Sequence, residues 1–370
     1  MTLSVTGDNI QFPDLSVQDT AATGFGFKNR IINGAMMVNQ RGTVDAQTTI
    51  TTGNEYTVDR FQGVASVSSK FSLGQSSTAV GGFINSLKAL SLSAYTVGAA
   101  ENFFIRQQIE GLNVADLGWG AAGAATVTLS FKVRSSLTGT FGGSLFNYNG
   151  TRSYPFSYTI SAANTDTTIS VTIPGDTSGT WLTTNGSGIT VTFGLGVGAT
   201  LSGTAGAWAG AYYTSATGAT SVVGTSGATF YITGVQLEKG STATSFDYRD
   251  YGRELAMCQR YYFQTGGVFS GQRFGMGWWY NSTIALGVNI PMPAPLRDPA
   301  SVSVSYSSLS DFAVYNGGIG ITPTVISVDG AGGQGIVPLS VTTAGTATAG
   351  YAAAILALNS NARLKFSNEL

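Results

Sequence analysis

Short stretches in which apolar and polar residues alternate recur along most of the chain, and they restrict the fold to β structure. Thr126–Val133 places four apolar side chains on one face, and Ile189–Leu195 repeats the pattern. A period of two with polar positions opposite is typical of half-buried antiparallel strands. We predict about ten strands before residue 240, one of them continuous over Tyr56–Val67, and about eight after residue 262, separated by Gly, Asn, Ser and Thr. The expected fold is all-β: a jelly-roll-like β-sandwich followed by a second, smaller β-sandwich domain.

The apolar period changes once, after Asp250. Tyr251, Leu255, Cys258 and Tyr262 are spaced as on one face of a short helix, which Asp250 can cap. We therefore predict a helical connector between the two sandwiches, and an N-terminal segment that has strand pattern but no core of its own. The predicted divisions are the N-terminal segment 1–28, the first sandwich 29–250, the helical connector 251–262 and the C-terminal β domain 263–370.

Charge is scarce, at 10% of residues, and the net charge is −1. This composition argues against nucleic acid as a partner and against electrostatic docking on anionic membranes. Since no apolar run reaches the roughly 18 residues of a membrane span, we expect no membrane insertion. The first residues lack the basic and apolar regions of a signal peptide, so we expect the chain to be made in a cytoplasm.

The chain has no histidine and a single cysteine. This excludes Ser-His-Asp catalysis and most zinc sites, and Cys258 is expected to be a buried thiol on the helix. No glycine-rich run has the setting of a phosphate loop, so we expect no cofactor and no catalytic residue. Asp166 and Asp176 could bind calcium, but we expect them to be solvent-exposed turn residues and predict no metal site.

Charge is also unevenly distributed. Thr177–Leu237 contains no charged residue. Isolated sandwiches usually protect edge strands with charge, so we expect the edges here to be covered by other copies of the chain. The next stretch gathers eight charges, which we expect on an exposed connector: Glu238, Lys239, Asp247, Arg249, Asp250, Arg253, Glu254 and Arg260.

Five motifs follow one another over residues 29–262. They are Asn29–Gly42, Tyr56–Phe61, Gln108–Gly111, Ile173–Trp181, and Phe230–Arg249 together with Glu254–Tyr262. In this order they resemble a family of tail-fibre and other virion fibre proteins of tailed bacteriophages, whose sandwich domain resembles carbohydrate-binding modules. Ile10–Ala22 resembles the N-terminal segment of many such fibres, with Leu15 in place of the usual Gly. Asp250 stands where the family usually has proline.

The resemblance implies a structural protein of the virion, in a tail or head fibre, that forms a homotrimer. Residues 1–28 would attach it to other virion proteins, and residues 263–370 would form a tip that meets host-surface polysaccharide. One alternative is a capsid decoration or head-fibre protein. Another is a polysaccharide depolymerase, against which stand the absent histidine and the lack of a regular β-helix repeat.

The tryptophans offer candidate binding residues. Trp278 and Trp279 are adjacent in a predicted strand and must point to opposite faces. We predict that Trp278 and Tyr280 face outward and bind glycan, with subunit packing as the alternative, while Trp279 packs inward. Trp181 and Trp208 are expected to fill the core of the first sandwich, because each adjoins an alternating strand.

Overall fold

The computed structural model describes residues 27–330, 333, 335–345 and 347–370, and the backbone of three short strands before them. These strands are β1 (Ser4–Thr6), β2 (Asn9–Gln11) and β3 (Val17–Gln18), which pair antiparallel in that order. The predicted attachment role of residues 1–28 rests on side chains that mostly lie outside the described residues.

The first domain is a jelly-roll-like sandwich of two six-stranded antiparallel sheets. Its strands are β4 (Thr48–Thr49), β5 (Gly53–Val58), β6 (Phe61–Ala65), β7 (Phe71–Ser76), β8 (Ser86–Ser91), β9 (Asn102–Glu110), β10 (Val127–Ser135), β11 (Gly139–Phe146), β12 (Ser153–Ile160), β13 (Thr167–Ile173), β14 (Ser187–Val197), β15 (Ser202–Gly203), β16 (Ser215–Ala216) and β17 (Thr229–Lys239). The first sheet has the order β13-β10-β17-β8-β7-β4, and the second has the order β12-β11-β14-β9-β6-β5. Three 3₁₀ turns, Gly111–Asn113, Ala115–Leu117 and Ala199–Leu201, lie in its loops.

Aromatic residues fill the space between these sheets. The four apolar residues predicted to share one face of Thr126–Val133 are at most 1% exposed, and all belong to one core. Among them, Phe131 of the first sheet contacts Tyr158 and Phe193 of the second, with ring centroids 5.1 Å apart in each pair. Burying one such side chain contributes about 2 kcal/mol, so this core is the main source of the domain's stability.

One predicted strand is a hairpin. We expected Tyr56–Val67 to be continuous, but β5 and β6 pair with each other across a turn at Asp59 and Arg60. Arg60 has a φ of 70°, in the left-handed region that a reversal of the chain requires. Neither residue is a usual turn glycine or asparagine, so the sequence gives little sign of this reversal.

The uncharged run Thr177–Leu237 does not form the edges of the two six-stranded sheets, which corrects the expectation that its lack of charge marks edges covered by other copies. It supplies β14 and most of β17, which lie in the middle of the two sheets. Part of the run also covers edge strand β12 within the same chain. Ser153 and Ala209 exchange two backbone hydrogen bonds of 2.8 and 3.0 Å, and the amide of Gly206 donates to the carbonyl of Pro155 at 2.9 Å. Burial explains this lack of charge without a second copy.

The same run covers part of the outer face of the second sheet. The Thr192 hydroxyl donates to the backbone carbonyl of Thr214 at 2.8 Å. Gly142 and Gly194 make room for this layer, because a Cβ at either position would lie 2.5 or 2.8 Å from the hydroxyl of Ser215. Residues 199–216 are therefore a third layer over one half of this sheet.

The second domain is a smaller sandwich, reached through helix α1 (Tyr251–Gln259). Asp250 caps the helix by accepting the backbone N–H of Arg253 at 2.9 Å, as expected. The strands are β18 (Tyr262–Gly266), β19 (Arg273–Trp279), β20 (Ile284–Pro291), β21 (Ser303–Tyr306), β22 (Phe312–Asn316), β23 (Ile319–Ile321), β24 (Pro323–Val328), β25 (Ile336–Thr343), β26 (Ala352–Ala357) and β27 (Arg363–Ser367), with 3₁₀ turns at Pro299–Ser301 and Leu309–Asp311.

Its two sheets differ in size. The three-stranded sheet has the order β18-β27-β21, and the seven-stranded sheet has the order β23-β22-β26-β19-β20-β25-β24. They enclose a second core, in which Trp279, Phe312 and Leu364 are fully buried. The prediction of an all-β fold with two sandwiches and a short connecting helix is confirmed.

Candidate functional site

Strand β19 presents aromatic side chains to opposite faces of the seven-stranded sheet. Trp279 is fully buried, and its indole N–H donates to the carbonyl of Tyr315 at 3.2 Å. Trp278 is 50% exposed, and Tyr280, immediately after the strand, is 63% exposed. The structure thus places the two predicted ligand-binding residues outside and Trp279 inside.

Residues from neighbouring strands extend the exposed surface. Trp278 lies directly opposite Ala352, and Met276 lies opposite Ala354, which in turn lies opposite Tyr315. Directly paired residues share a face of the sheet, so the larger side chains stand on either side of two alanines. Met276 is 62% exposed and Tyr315 is 37% exposed. We call the set Met276, Trp278, Tyr280, Tyr315, Ala352 and Ala354 the tip face.

The Trp278 ring rests against the backbone of β20. Gly287 has a φ of 63°, and a Cβ there would lie 2.2 Å from a carbon of the indole ring. Only glycine fits this position, because any side chain would displace the ring and strain the backbone. The position of Trp278 is therefore set by its sheet neighbour.

The tip face lacks charge. The seven strands of its sheet contain one charged residue, Arg273, at the start of β19. Exposed rings in such a setting can stack on the apolar face of a neutral sugar ring or pack against another protein copy. Sequence reasoning missed Tyr315, since it could not show that β22, β26 and β19 are neighbours. It also missed Met276, although Met276 precedes Trp278 by two residues on β19 and so shares its face. The alternation within each strand was the available signal.

The tryptophans of the first sandwich are packed against one another. Trp119, Trp181 and Trp208 form a triangle of edge-on contacts with centroid distances of 4.7, 5.4 and 5.5 Å. Trp181 is 8% exposed, and the half-buried Trp208 donates its indole N–H to the carbonyl of Pro174 at 2.8 Å. As expected, Trp181 belongs to the core, and Trp208 packs against it.

The two acidic residues considered for calcium are both paired with arginine. Asp176 is buried and accepts two hydrogen bonds of 2.7 Å from Arg152, which corrects its expected exposure. Asp166 accepts from Arg134 at 2.6 Å and from the amide of Gly81, and these donors lower its pKa. Across the described ranges, no cluster of three or more His, Cys, Asp or Glu side chains is placed to hold a metal ion.

The eight charges expected on an exposed connector are only partly exposed. Glu238 is buried, and four others are partly buried: Asp247, Arg249, Glu254 and Arg260. Lys239, Asp250 and Arg253 are exposed, as expected. Glu238 is 3% exposed, and Arg249 donates to the carbonyl of Ile31 and to Glu254. Arg260 donates to both oxygens of Glu110 at 2.6 and 2.9 Å. Burial of these five charges is stable because each is paired with an opposite charge. Among them, Arg260 serves the contact between the two domains, because it also donates to the carbonyls of Pro295 and Leu296.

The same contact contains arginines stacked on tyrosines. The Arg60 guanidinium lies 3.6 Å from the ring centroid of Tyr261, and that of Arg41 lies 3.6 Å from Tyr262. Both arginines are paired with Glu369. We call these residues, with Glu110 and Arg260, the junction. Four of the five motifs found in the sequence contribute to it or to the chain segments around it.

Burial shifts several pKa values at the junction. The pKa of Asp59 is raised because the carboxyl is desolvated, although Gln40 donates to it twice, at 2.6 and 2.7 Å. Burial likewise raises the pKa of Tyr261 to about 12. It also raises the pKa of Cys258, which is fully buried, as expected of a structural thiol.

Comparison with known proteins gives structural similarity only. No family model and no curated protein matches the chain. The enzymatically active domain of bacteriophage CBA120 tailspike protein 4 is 11% identical with a TM-score of 0.30, and the match covers 57% of this chain and 21% of that chain. The family 11 carbohydrate-binding module of the Clostridium thermocellum cellulase Lic26A-Cel5E is 12% identical with a TM-score of 0.28, and the match covers 55% of this chain and 99% of the module.

A third similar structure is TmCBM61 in complex with β-1,4-galactotriose, which is 9% identical with a TM-score of 0.27 over 58% of this chain and 99% of that chain. The matched proteins thus include a phage tailspike domain and carbohydrate-binding modules. At these TM-scores the similarity does not transfer a function to this chain. In the described part of the chain, no helix is long and apolar enough to span a bilayer.

Proposed function

We propose that this chain is a structural, non-enzymatic fibre protein of a tailed-phage virion that binds glycans of the host surface through its tip face. The observation that carries the proposal is the exposure of Trp278 and Tyr280 on a sheet with one charged residue. Large exposed apolar surfaces on soluble proteins usually mark binding sites. Rings without a protein partner are available to stack on neutral sugar rings.

The setting of the buried carboxylates supports binding rather than hydrolysis. Glu110 accepts hydrogen bonds from Arg260 and from Tyr261, and Glu369 is held by two arginines. A glycosidase needs a pair of carboxyl groups that are open to the substrate. Among the described residues, these acids instead neutralise buried arginines.

The experiment compares the full-length protein with Trp278→Ala/Tyr280→Ala on an array of bacterial surface polysaccharides. Tyr148→Ala is the matched control, since Tyr148 is 48% exposed but lies on the first sandwich. We expect the double variant to lose binding and the control to keep it. Equal binding by all three proteins would remove the tip face from the proposal.

The proposed assembly is a homotrimer attached to the particle through residues 1–28. Light scattering should give three times the monomer mass of 38.2 kDa. Deletion of residues 1–24 should leave a folded trimer that no longer joins particles. A monomer at micromolar concentration, or a truncated protein that still joins particles, would contradict the corresponding part of the proposal.

A further inference from the structure

A row of residues crosses the outer face of the second sheet of the first sandwich. Tyr56, Gln62, Arg106, Thr192 and Ser144 lie directly opposite one another on five neighbouring strands. Paired residues share a face, so all five side chains project outward. Thr192 and Ser144 are buried beneath residues 199–216, whereas Tyr56 and Arg106 remain partly exposed. Arg106 therefore lies where the covered half of the sheet meets the open half.

The guanidinium of Arg106 is held in place but is only partly satisfied. Its Nε donates to the side-chain oxygen of Gln62 at 2.5 Å. Within the described residues, its two terminal nitrogens have no hydrogen-bond partner, and no carboxylate lies within the 4.0 Å of an ion pair. Fixing Nε leaves the end of the guanidinium fork free, and this end can donate two parallel hydrogen bonds to one anionic group.

Two other arginines in a similarly desolvated setting have partners at their terminal nitrogens. Burial lowers the pKa of Arg41, Arg106 and Arg297 alike. Arg41 is paired with Glu369, and Arg297 donates to three backbone carbonyls, at 2.8, 2.8 and 3.2 Å. Arg106 bears the cost of desolvation with neither a counter-charge nor a carbonyl at its terminal nitrogens. A partly buried, unpaired charge is unfavourable in a folded protein and is relieved when an anion binds.

We propose that Arg106 is the centre of an anion-binding site for the carboxylate of an acidic saccharide. The site is separate from the tip face and uses the strip of sheet between Tyr56 and residues 199–216. Tyr212 belongs to the covering layer of residues 199–216, after the 3₁₀ turn Ala199–Leu201. It is 36% exposed, and its ring lies against Gly150, where a Cβ would be 2.6 Å from a ring carbon.

The rings of Tyr56 and Tyr212 favour a sugar over a simple ion. Both phenols are close enough to Arg106 to influence its pKa, and Tyr56 is held from one side by Arg41 at 4.8 Å. A carboxylate on Arg106 would place its sugar ring between these two side chains, where ring stacking and hydroxyl hydrogen bonds are available. The net charge of the whole chain is −1, so the chain as a whole does not attract an anion. The attraction for a carboxylate is therefore local and depends on Arg106.

The test measures binding of trigalacturonate, galactotriose and inorganic phosphate to the full-length protein by calorimetry. We expect trigalacturonate to bind and galactotriose not to bind at this site. Arg106→Gln should weaken trigalacturonate binding by at least about tenfold, which is the effect of losing a charge-assisted contact. Arg134→Gln is the matched control, because Arg134 lies on the other sheet and is paired with Asp166; it should change nothing.

Gln62→Glu provides a second variant that is close in shape to the natural residue. It places a carboxylate beside Arg106, so it should raise the melting temperature and abolish trigalacturonate binding together. Phosphate binding without trigalacturonate binding, or equal trigalacturonate binding in the natural protein and Arg106→Gln, would overturn the proposal. Trp278→Ala/Tyr280→Ala should leave trigalacturonate binding intact, so failure of this site and failure of the tip face are distinguishable.

Discussion

The junction and the tip face both contain several aromatic side chains, but these are packed against protein partners at the junction and exposed on the tip face. At the junction, Tyr261 and Tyr262 are stacked under arginines whose charges are paired with Glu369. On the tip face, Trp278 and Tyr280 are at least half exposed and have almost no charge around them. A ring with a fixed protein partner stabilises the fold, whereas a ring without one is available to a ligand. The comparison predicts that substitutions will separate stability from binding.

The largest effect on stability is expected for substitutions of the two adjacent tryptophans, which lie on opposite faces of β19. Trp279→Ala should cost about 4 kcal/mol of unfolding free energy, because it empties a fully buried site. Trp278→Ala should cost less, about 1 to 2 kcal/mol, because the ring is half exposed although it packs on Gly287. Denaturant titration of both variants measures the difference. Similar costs for the two would mean that Trp278 has a structural role.

The next effect concerns the junction. Glu369→Ala should cost about 3 kcal/mol, since it leaves the buried Arg60 and the mostly buried Arg41 without a carboxylate. Asp166→Ala is the control, because it breaks a more exposed pair with Arg134 and should cost less than about 1 kcal/mol. Both are read from the same denaturation experiment. Equal costs would show that the junction pairs contribute no more than surface pairs.

The junction should also respond to alkali. Because the pKa of Tyr261 is raised to about 12 in the folded protein, the folded state retains a proton that the unfolded state has lost between the ordinary value of 10.0 and about 12. The unfolding free energy should therefore fall as pH rises through this window, by up to about 3 kcal/mol. Tyr261→Phe should fall less steeply over the same window in pH-dependent unfolding. An unchanged slope would assign the alkaline response to other groups.

The smallest effect is expected for ligand binding at the tip face. Each stacked ring contributes about 1 kcal/mol beyond its buried area, so Trp278→Ala should weaken binding at one site by about fivefold. Three copies on a trimer would multiply this loss through avidity. The measurement takes a polysaccharide that binds on the array and compares its affinity for monomeric and trimeric forms of each protein. The monomer gives the loss at one site, and the trimer gives the loss with avidity. A loss at the monomer level with no larger loss in the trimer would contradict simultaneous engagement.

The strands and the helix were largely predictable because period and capping are local. Asp250 capped α1 as expected, and the alternation in Thr126–Val133 gave the correct inner face. The turn at Asp59 and Arg60 was not predictable, because its conformation depends on tertiary partners: Gln40 for Asp59 and Glu369 for Arg60. Local sequence cannot report partners that are more than 300 residues away.

The same reason limited the prediction of sites. Two members of the tip face, Trp278 at the end of β19 and Tyr280 just after it, were predictable from local alternation. Tyr315 lies on a strand that only the sheet order places nearby. The charges around α1 were expected to be exposed because they lie on a connector, and the sequence did not reveal the distant partners of some of them. Glu110 lies 150 residues from Arg260, with which it forms an ion pair.

The smaller sandwich is tied to the larger at two points, which has a mechanical consequence. The chain passes from α1 into β18 at Tyr261, and after β27 it returns, where the amide of Asn368 donates to the carbonyl of Tyr261 at 2.7 Å. Arg297 then links the carbonyls of Asn368 and Asn185 across the two domains. Two domains that are joined only by a single covalent linker can rotate relative to each other about that linker. Here a pulling force or a torque on the smaller sandwich is shared between the covalent linker and these hydrogen bonds. The force is therefore transmitted to the larger sandwich without free rotation at the linker.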